Sequence, residues 1–124
     1  MSNGYAPGDY TIAQTVGASQ TDQVVSKIYP ITAGGSIHHA VVLDVSAVTA
    51  ATGITAKLQT GIGSTWQDSK TVAITGNGRF YIKLLAEAAG DQTYLPLLRN
   101  GRVVITTGAG DSVTVDAVNV LQAL

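Results

Sequence analysis

The chain has 124 residues, seven basic against eight acidic, a formal net charge of −1 and no cysteine. That length suits one domain with a real core; the charge balance excludes the basic footprint of a nucleic-acid binder and charge steering of an acidic substrate, and the absence of cysteine excludes a disulfide framework and a thiolate metal site. Only 12% of the residues are charged while 45% are hydrophobic, against roughly 25% charged in an ordinary soluble domain. The longest apolar run, Ala40 to Leu43, is far short of the ~20 residues of a membrane span. The surface is therefore expected to be built from Ala, Thr, Ser, Gln and Gly. Such a surface costs little to desolvate and tends to associate, the mark of a protein that works packed in an assembly.

The start, Met1 to Tyr10, has neither a basic region nor an apolar stretch and is not read as a signal peptide. Residues 1–22 hold few large apolar side chains and contain Gly4, Pro7-Gly8 and Gly17. They are read as an N-terminal arm or edge segment that cannot build a core alone and could become ordered by adding a strand to a neighbour. Residues 23–124 are read as a single domain. Helical periodicity is nearly absent, and short runs rich in Val, Ile and Thr alternate with Gly-containing turns. The fold class expected is all-β, an antiparallel sandwich of about eight strands.

In chain order, a short strand is expected over Asp9–Gln14, a loop over Val16–Asp22, and a strand over Gln23–Ile31. Ser36–Val45 is the strongest strand, apolar enough at Ala40–Leu43 to be buried on both faces. Ile54–Thr60 alternates cleanly, with Ile54, Ala56 and Leu58 on one side and Thr55, Lys57 and Gln59 on the other. Gly61–Ser64 turns the chain, and Thr65–Ile74 runs back. Thr75-Gly-Asn-Gly78 reads as a type I′ turn, since Asn-Gly tolerates positive φ at both central positions. Arg79–Leu85 follows as a strand, Ala86–Thr93 as a helical turn or loop, and Tyr94–Leu98 as a short strand. Asn100-Gly101 reads as a second tight turn before a last hairpin, Arg102–Thr107 with Ser112–Leu121. In its final strand Val113 and Val115 share one parity and Val118 and Val120 the other, which predicts a β-bulge near Asp116 or Ala117. Thr60-Gly-Ile-Gly-Ser-Thr65 and Thr107-Gly-Ala-Gly-Asp-Ser112 share a Thr-Gly-x-Gly frame and read as two similar hairpin turns.

No chemistry of catalysis emerges. Gly108-Ala-Gly110 precedes a strand pattern, whereas phosphate-binding glycine loops need a helix to follow. His38 and His39 are adjacent on a strand and point to opposite faces, so they cannot share one ion from one chain, and no metal site is assigned. Asp44, Asp68, Glu87, Asp91, Asp111 and Asp116 are scattered. Gly90-Asp91 and Gly110-Asp111 suit turns, where Asp hydrogen-bonds the backbone. There is no calcium loop and no Gly-x-Ser-x-Gly elbow. The protein is read as a non-enzyme without a cofactor.

Interface chemistry is the better-supported class. Trp66, the single Trp, shares parity with Val72 and Ile74 and is expected to cover the core edge or a subunit interface. Ligand stacking would call for several rings in one plane. Tyr5, Tyr10 and Tyr29 are further candidate contact residues. Arg79, Arg99 and Arg102 flank the two Asn-Gly turns and are candidates for salt bridges to a neighbouring subunit.

Leu58-Gln-Thr with its Gly/Ser turn and Thr65-Trp-Gln-Asp68, then Val72–Gly78 and Gly101–Val115, resemble hairpins of small virion proteins of tailed bacteriophages. The resemblance covers roughly residues 54–121. It implies a sandwich or jelly-roll fold and a structural role, most typically as a capsid decoration (cement) protein. Such a protein would bind the major capsid protein or another virion protein as a homo-oligomer, a trimer among the options. It would sit on the capsid surface of the virion after assembly in the host cytoplasm, with no nucleic-acid or membrane partner. A tail or head–tail component is the close alternative, and a carbohydrate- or receptor-binding module the alternative of another class.

Overall fold

A computed structural model describes residues 8–12, 14–31, 38–85 and 100–123. Among them there are ten strands and no helix: β1 (Gly8–Asp9), β2 (Gln14–Val16), β3 (Gln23–Val24), β4 (Tyr29–Pro30), β5 (His38–Thr49), β6 (Ile54–Ile62), β7 (Thr65–Ile74), β8 (Gly78–Leu85), β9 (Asn100–Thr106) and β10 (Ser112–Ala123). They form two antiparallel sheets. One runs β1-β10-β5-β8 with β2 also on β10; the other runs β3-β9-β6-β7 with β4 also on β9.

The edges explain the odd count. β1 lies opposite Val120 and Asn119, and β2 opposite Val115 to Val113, so both cover one edge of β10 end to end. In the same way β3 lies opposite Ile105 and Val104, and β4 opposite Gly101 and Asn100, along one edge of β9. Each pair is a single edge strand with a break. Joined so, the pairing is nested. The first strand meets the last, the next meets β9, β5 meets β8, and β6 meets its successor β7. At the break in the two edge strands the sheets touch, through the Thr11–Ser26 bridge and the bonds Ile12 N–Val25 O and Lys27 N–Tyr10 O.

Alternation supplies the core. From the first sheet, Val16, Val41, Leu43, Val45, Ile82, Val113, Val115, Val118 and Val120 point inward. They meet Val25, Tyr29, Ile54, Ala56, Leu58, Ile74, Val103 and Ile105 of the second. Most are β-branched, which suits a pleated, buried surface. The parity change in β10 has the cause expected. Val115 pairs with Val45 and Ala117 with Asp44, leaving Asp116 outside the pairing, and a second shift leaves Ser46 of β5 unpaired. The extra residue Asp116 turns Val113–Val115 and Val118–Val120 to the same side.

Several expectations are corrected. Residues 8–9 and 14–16 lie on the chain's own β10, with Val16 buried, so ordering of this part of residues 1–22 needs no neighbour. Asn100-Gly101 is not a turn but the start of β9. A Cβ on Gly101 would sit 2.6 Å from the ring carbon Cζ of Tyr29 and 2.7 Å from its hydroxyl; the glycine is there to admit that ring. Asn77 does not take positive φ, whereas Gly78 does at 133°, so the type I′ reading fails. The two Thr-Gly-x-Gly frames differ as well. Gly63 (φ 62°) and Ser64 form a two-residue hairpin turn, with positive φ at the first position as in type II′, while the second frame is a longer loop closed by Asp111. β5 runs on to Thr49, and its apolar run is covered on one side only: Val41 and Leu43 are buried but Ala40 and Val42 are half-exposed. Tyr94–Leu98 and Ala86–Thr93 lie outside the described residues.

Gly101→Ala should overpack the Tyr29 pocket and destabilise by about 1–3 kcal/mol, read as a lower urea midpoint at unchanged slope. A change within 0.5 kcal/mol, roughly the noise of surface substitutions, would contradict the packing described.

Candidate functional site

Two of the residues that the sequence singles out, Trp66 and Arg102, meet on the outer face of the second sheet, and a bulge brings Trp66 there. Along β6 and β7, Leu58 pairs with Lys70 but Gln59 pairs with Asp68, so Ser69 is an extra residue. One extra residue reverses the faces beyond it. Val72, opposite Ala56, packs against the core, whereas Trp66, opposite Gly61, points outward. The parity that grouped Trp66 with Val72 and Ile74 is therefore broken.

Trp66 is half-buried because neighbours cover it. The ring rests against Gly61, where a Cβ would come within 2.9 Å of the indole Cδ2 and Cε3. The Arg102 guanidinium stands 4.2 Å from the ring centroid, a cation–π contact of about 0.5–1 kcal/mol. From Arg102 a polar ladder crosses the sheet. Its Nε donates to Gln59 Oε1 at 2.8 Å, and Gln59 Nε2 donates to Asp68 Oδ1 at 2.9 Å. Lys57 Nζ donates to Asp68 Oδ2 at 3.1 Å and lies 2.9 Å from Asp22 Oδ1. Asp22 holds φ at 51°, in the left-handed region that Asp tolerates better than most residues. The Gln59 amide, helped by Lys57, keeps the Asp68 carboxyl below its ordinary range against the opposing effect of burial. Asp22, with Asp68, raises Lys57 although burial opposes it.

Lys57 thus pairs with both Asp22 and Asp68, while Arg102 is held by the Gln59 amide and the Trp66 ring. What remains is a rigid, nearly neutral stripe headed by a preorganised Trp–Arg pair, the residue types that most often anchor protein contacts. It lacks the second ring that a sugar platform would want: among the described residues the aromatic pairing is Tyr10 with Tyr29, 5.1 Å apart at 37°.

The other candidates are dispersed. Arg79 is on the opposite sheet, bound to Asp44 through Nε–Oδ1 at 2.7 Å and Nη2–Oδ2 at 3.4 Å. That bond raises Arg79 and lowers Asp44. Arg79 and Arg102 therefore form no cluster, and Arg79 spends its charge within its own chain. Tyr29 is a correction, because it is 0% exposed and has no surface to offer a partner; burial, and then Tyr10, push its phenol up. Tyr10 is half-buried and packs against the core. Tyr5 and Arg99 lie outside the described residues. His38 and His39 open β5, opposite Leu85 and Leu84 of β8. Among the described residues no three His, Cys, Asp or Glu come together as metal ligands would.

Asp111 carries more than the turn role expected of it. Its Oδ1 accepts Ala51 N at 2.6 Å and Thr52 N at 2.8 Å, and its Oδ2 accepts Thr52 Oγ1 and Gly108 N, each at 2.8 Å. The Thr52 backbone first, then Gly108, the Thr52 hydroxyl and Gly53, hold this carboxyl well below the usual range, with burial opposing. Next to it, Thr107 Oγ1 donates to Gly17 O and accepts Gln20 N, and Ser19 N donates to Gly108 O. Three loops at one end of the molecule are thereby tied together. A single carboxylate in a Gly-Asp turn could be read as local, but its partners some 60 residues away leave no mark in sequence.

Arg102→Ala should uncover Trp66, shifting its emission to longer wavelength and raising acrylamide quenching, at a stability cost of about 1 kcal/mol. Unchanged quenching would contradict the stack. Asp111→Asn should lower the melting temperature at pH 7. Because the folded carboxyl is depressed, its contribution is present above the unfolded pKa of about 4 and is lost as pH falls below it. The gap between wild type and variant should narrow on acidification; a gap independent of pH would contradict the staple.

No family model, curated protein or solved structure matches this chain.

Proposed function

We propose that the chain is a structural protein of a tailed-bacteriophage virion, a capsid cement protein that binds the major capsid protein as a homo-oligomer and stabilises the head. The observation that carries the reading is the nested strand pairing, first with last and inward to β6 with β7. That order supports a jelly-roll reading of the two sheets, and jelly rolls recur in viral capsid proteins and lectins. The composition supports the capsid side of that pair, since 12% charged residues leave two sheet faces that cost little to cover with protein. The Trp66–Arg102 pair supplies an anchor suited to a protein partner. Many such contacts, repeated by symmetry, add up through avidity.

A tail or head–tail component would share the fold and composition and is the neighbouring reading. The glycan-binding reading finds less support, because the Trp66 ring is covered by Arg102 and has no second ring beside it among the described residues.

The test is thermal. Purified protein added to heads lacking it, from the virus that encodes it, should raise the head melting temperature. At ~100-fold excess over Kd the gain is about 2.7 kcal/mol per site. Absence of both binding and shift would remove the cement assignment.

A further inference from the structure

We propose that Asn77 is a site of spontaneous deamidation and isomerisation, set apart by the fold from a second copy of the same tripeptide. This goes beyond the structural role proposed above and does not depend on it.

The tripeptide Asn-Gly-Arg occurs twice, as Asn77-Gly78-Arg79 and as Asn100-Gly101-Arg102. Local sequence cannot make the two behave differently, so a difference between them comes from their places in the fold. A further Asn-Gly, Asn3-Gly4, lies outside the described residues.

The chemistry needs a main chain that can turn. The glycine amide nitrogen gives up its proton to a base and attacks Cγ of the preceding Asn. A bond from that nitrogen to Cγ forms, the Cγ–Nδ2 bond breaks, and Nδ2 takes up a proton and leaves as ammonia. Water then opens the cyclic imide. Breaking the bond to Cγ yields aspartate; breaking the bond to the main-chain carbonyl carbon yields isoaspartate, whose main chain is longer by a methylene. Ring closure requires the Asn main chain to leave extended strand geometry, and a following glycine leaves the attacking nitrogen unshielded by a side chain.

Asn77 meets these conditions. Residues 75–77 link β7 to β8, crossing from one sheet to the other, and belong to no strand. Asn77 and Gly78 are both exposed, and among the described residues no hydrogen bond holds the Asn77 amide. A Cβ on Gly78 would meet nothing within 4 Å, so the surroundings leave room for the ring. Gly78 is the last residue of β8 paired with β5, opposite Val45. Turning Asn77 therefore disturbs only the end of one ladder.

Asn100 meets none of them. It lies opposite Gly61 on one edge of β9 and Pro30 on the other, and Gly101 lies opposite Thr60 and Tyr29. Gly101 is buried, with the Tyr29 ring occupying the place of a Cβ. Turning Asn100 breaks pairing on both edges and unseats a buried ring. Reaction there waits on local unfolding and is slowed by the rarity of the opened state. At Asn77 the product adds a carboxylate next to Gly78 and, as isoaspartate, lengthens the link between the sheets.

Peptide mapping of the full chain tests this after storage in mildly alkaline buffer, folded and in urea. Cleavage at lysine separates Asn3, Asn77 and Asn100 into different fragments, since Lys27, Lys70 and Lys83 fall between them. Mass spectrometry then locates each converted residue, and chromatography separates aspartate from isoaspartate. In the folded protein Asn77 should convert at least about tenfold faster than Asn100, with isoaspartate among its products. In urea the two should convert at similar rates. An Asn77 that stays an amide in the folded protein while reacting in urea would overturn the proposal. So would an Asn100 that keeps pace with Asn77 in the folded protein.

Discussion

The constraint on which the rest of the structure depends is the contact between residues 8–16 and the last strand. β10 has β5 on one side and the two halves of the first strand on the other, so its hydrogen bonds are satisfied along both edges only if chain start and chain end meet. That contact buries Val16 and places Tyr10 against Tyr29. It also brings the first strand to the break where the two sheets touch. Without it a long Val-rich strand would present an open edge, the hazard that β proteins avoid by covering or interrupting their edges.

From that closure follows the contrast between inside and outside. The inward rows take most of the Val, Ile and Leu of the central strands, and the outward rows carry few charged residues. The two outer faces then solve the problem differently. That of β9-β6-β7 carries a ladder that satisfies its own charges and folds Trp66 down under Arg102. Among the described residues that of β10-β5-β8 keeps the ion pair of Arg79 with Asp44, with Tyr81 and Leu121 exposed and Val42 half-exposed. Among the described residues the first face satisfies its own charges, while the second leaves Tyr81 and Leu121 exposed. The Asp111 staple ties the loop at Ala51–Thr52 to the loop at Gly108.

Much of this was legible from residue order, and the failures share a cause. Ile54–Thr60 alternates as read, and the bulge at Asp116 was visible because four valines change phase around it. The bulge at Ser69 left no such trace. Trp66, Asp68 and Lys70 are not an apolar series, so a slip among them is silent, and the parity that groups Trp66 with Val72 and Ile74 does not survive it. Gly101 read as a turn because turns and close ring contacts ask for the same residue; only the position of Tyr29, 72 residues earlier in the chain, tells them apart. The nested pairing and the partners of Asp111 are likewise contacts between distant residues, and local pattern carries no information about them. Gln59 had no assigned role, yet it joins Arg102 to Asp68 because its amide both accepts and donates.

The central claim is that sheet faces this poor in charge are covered by protein when the molecule works. Solvent paramagnetic broadening of side-chain resonances, followed as concentration rises, tests its self-association part directly. The account predicts that the outward side chains of a sheet face are broadened in dilute solution and become protected together. Equal broadening of every outward side chain at every concentration would contradict it.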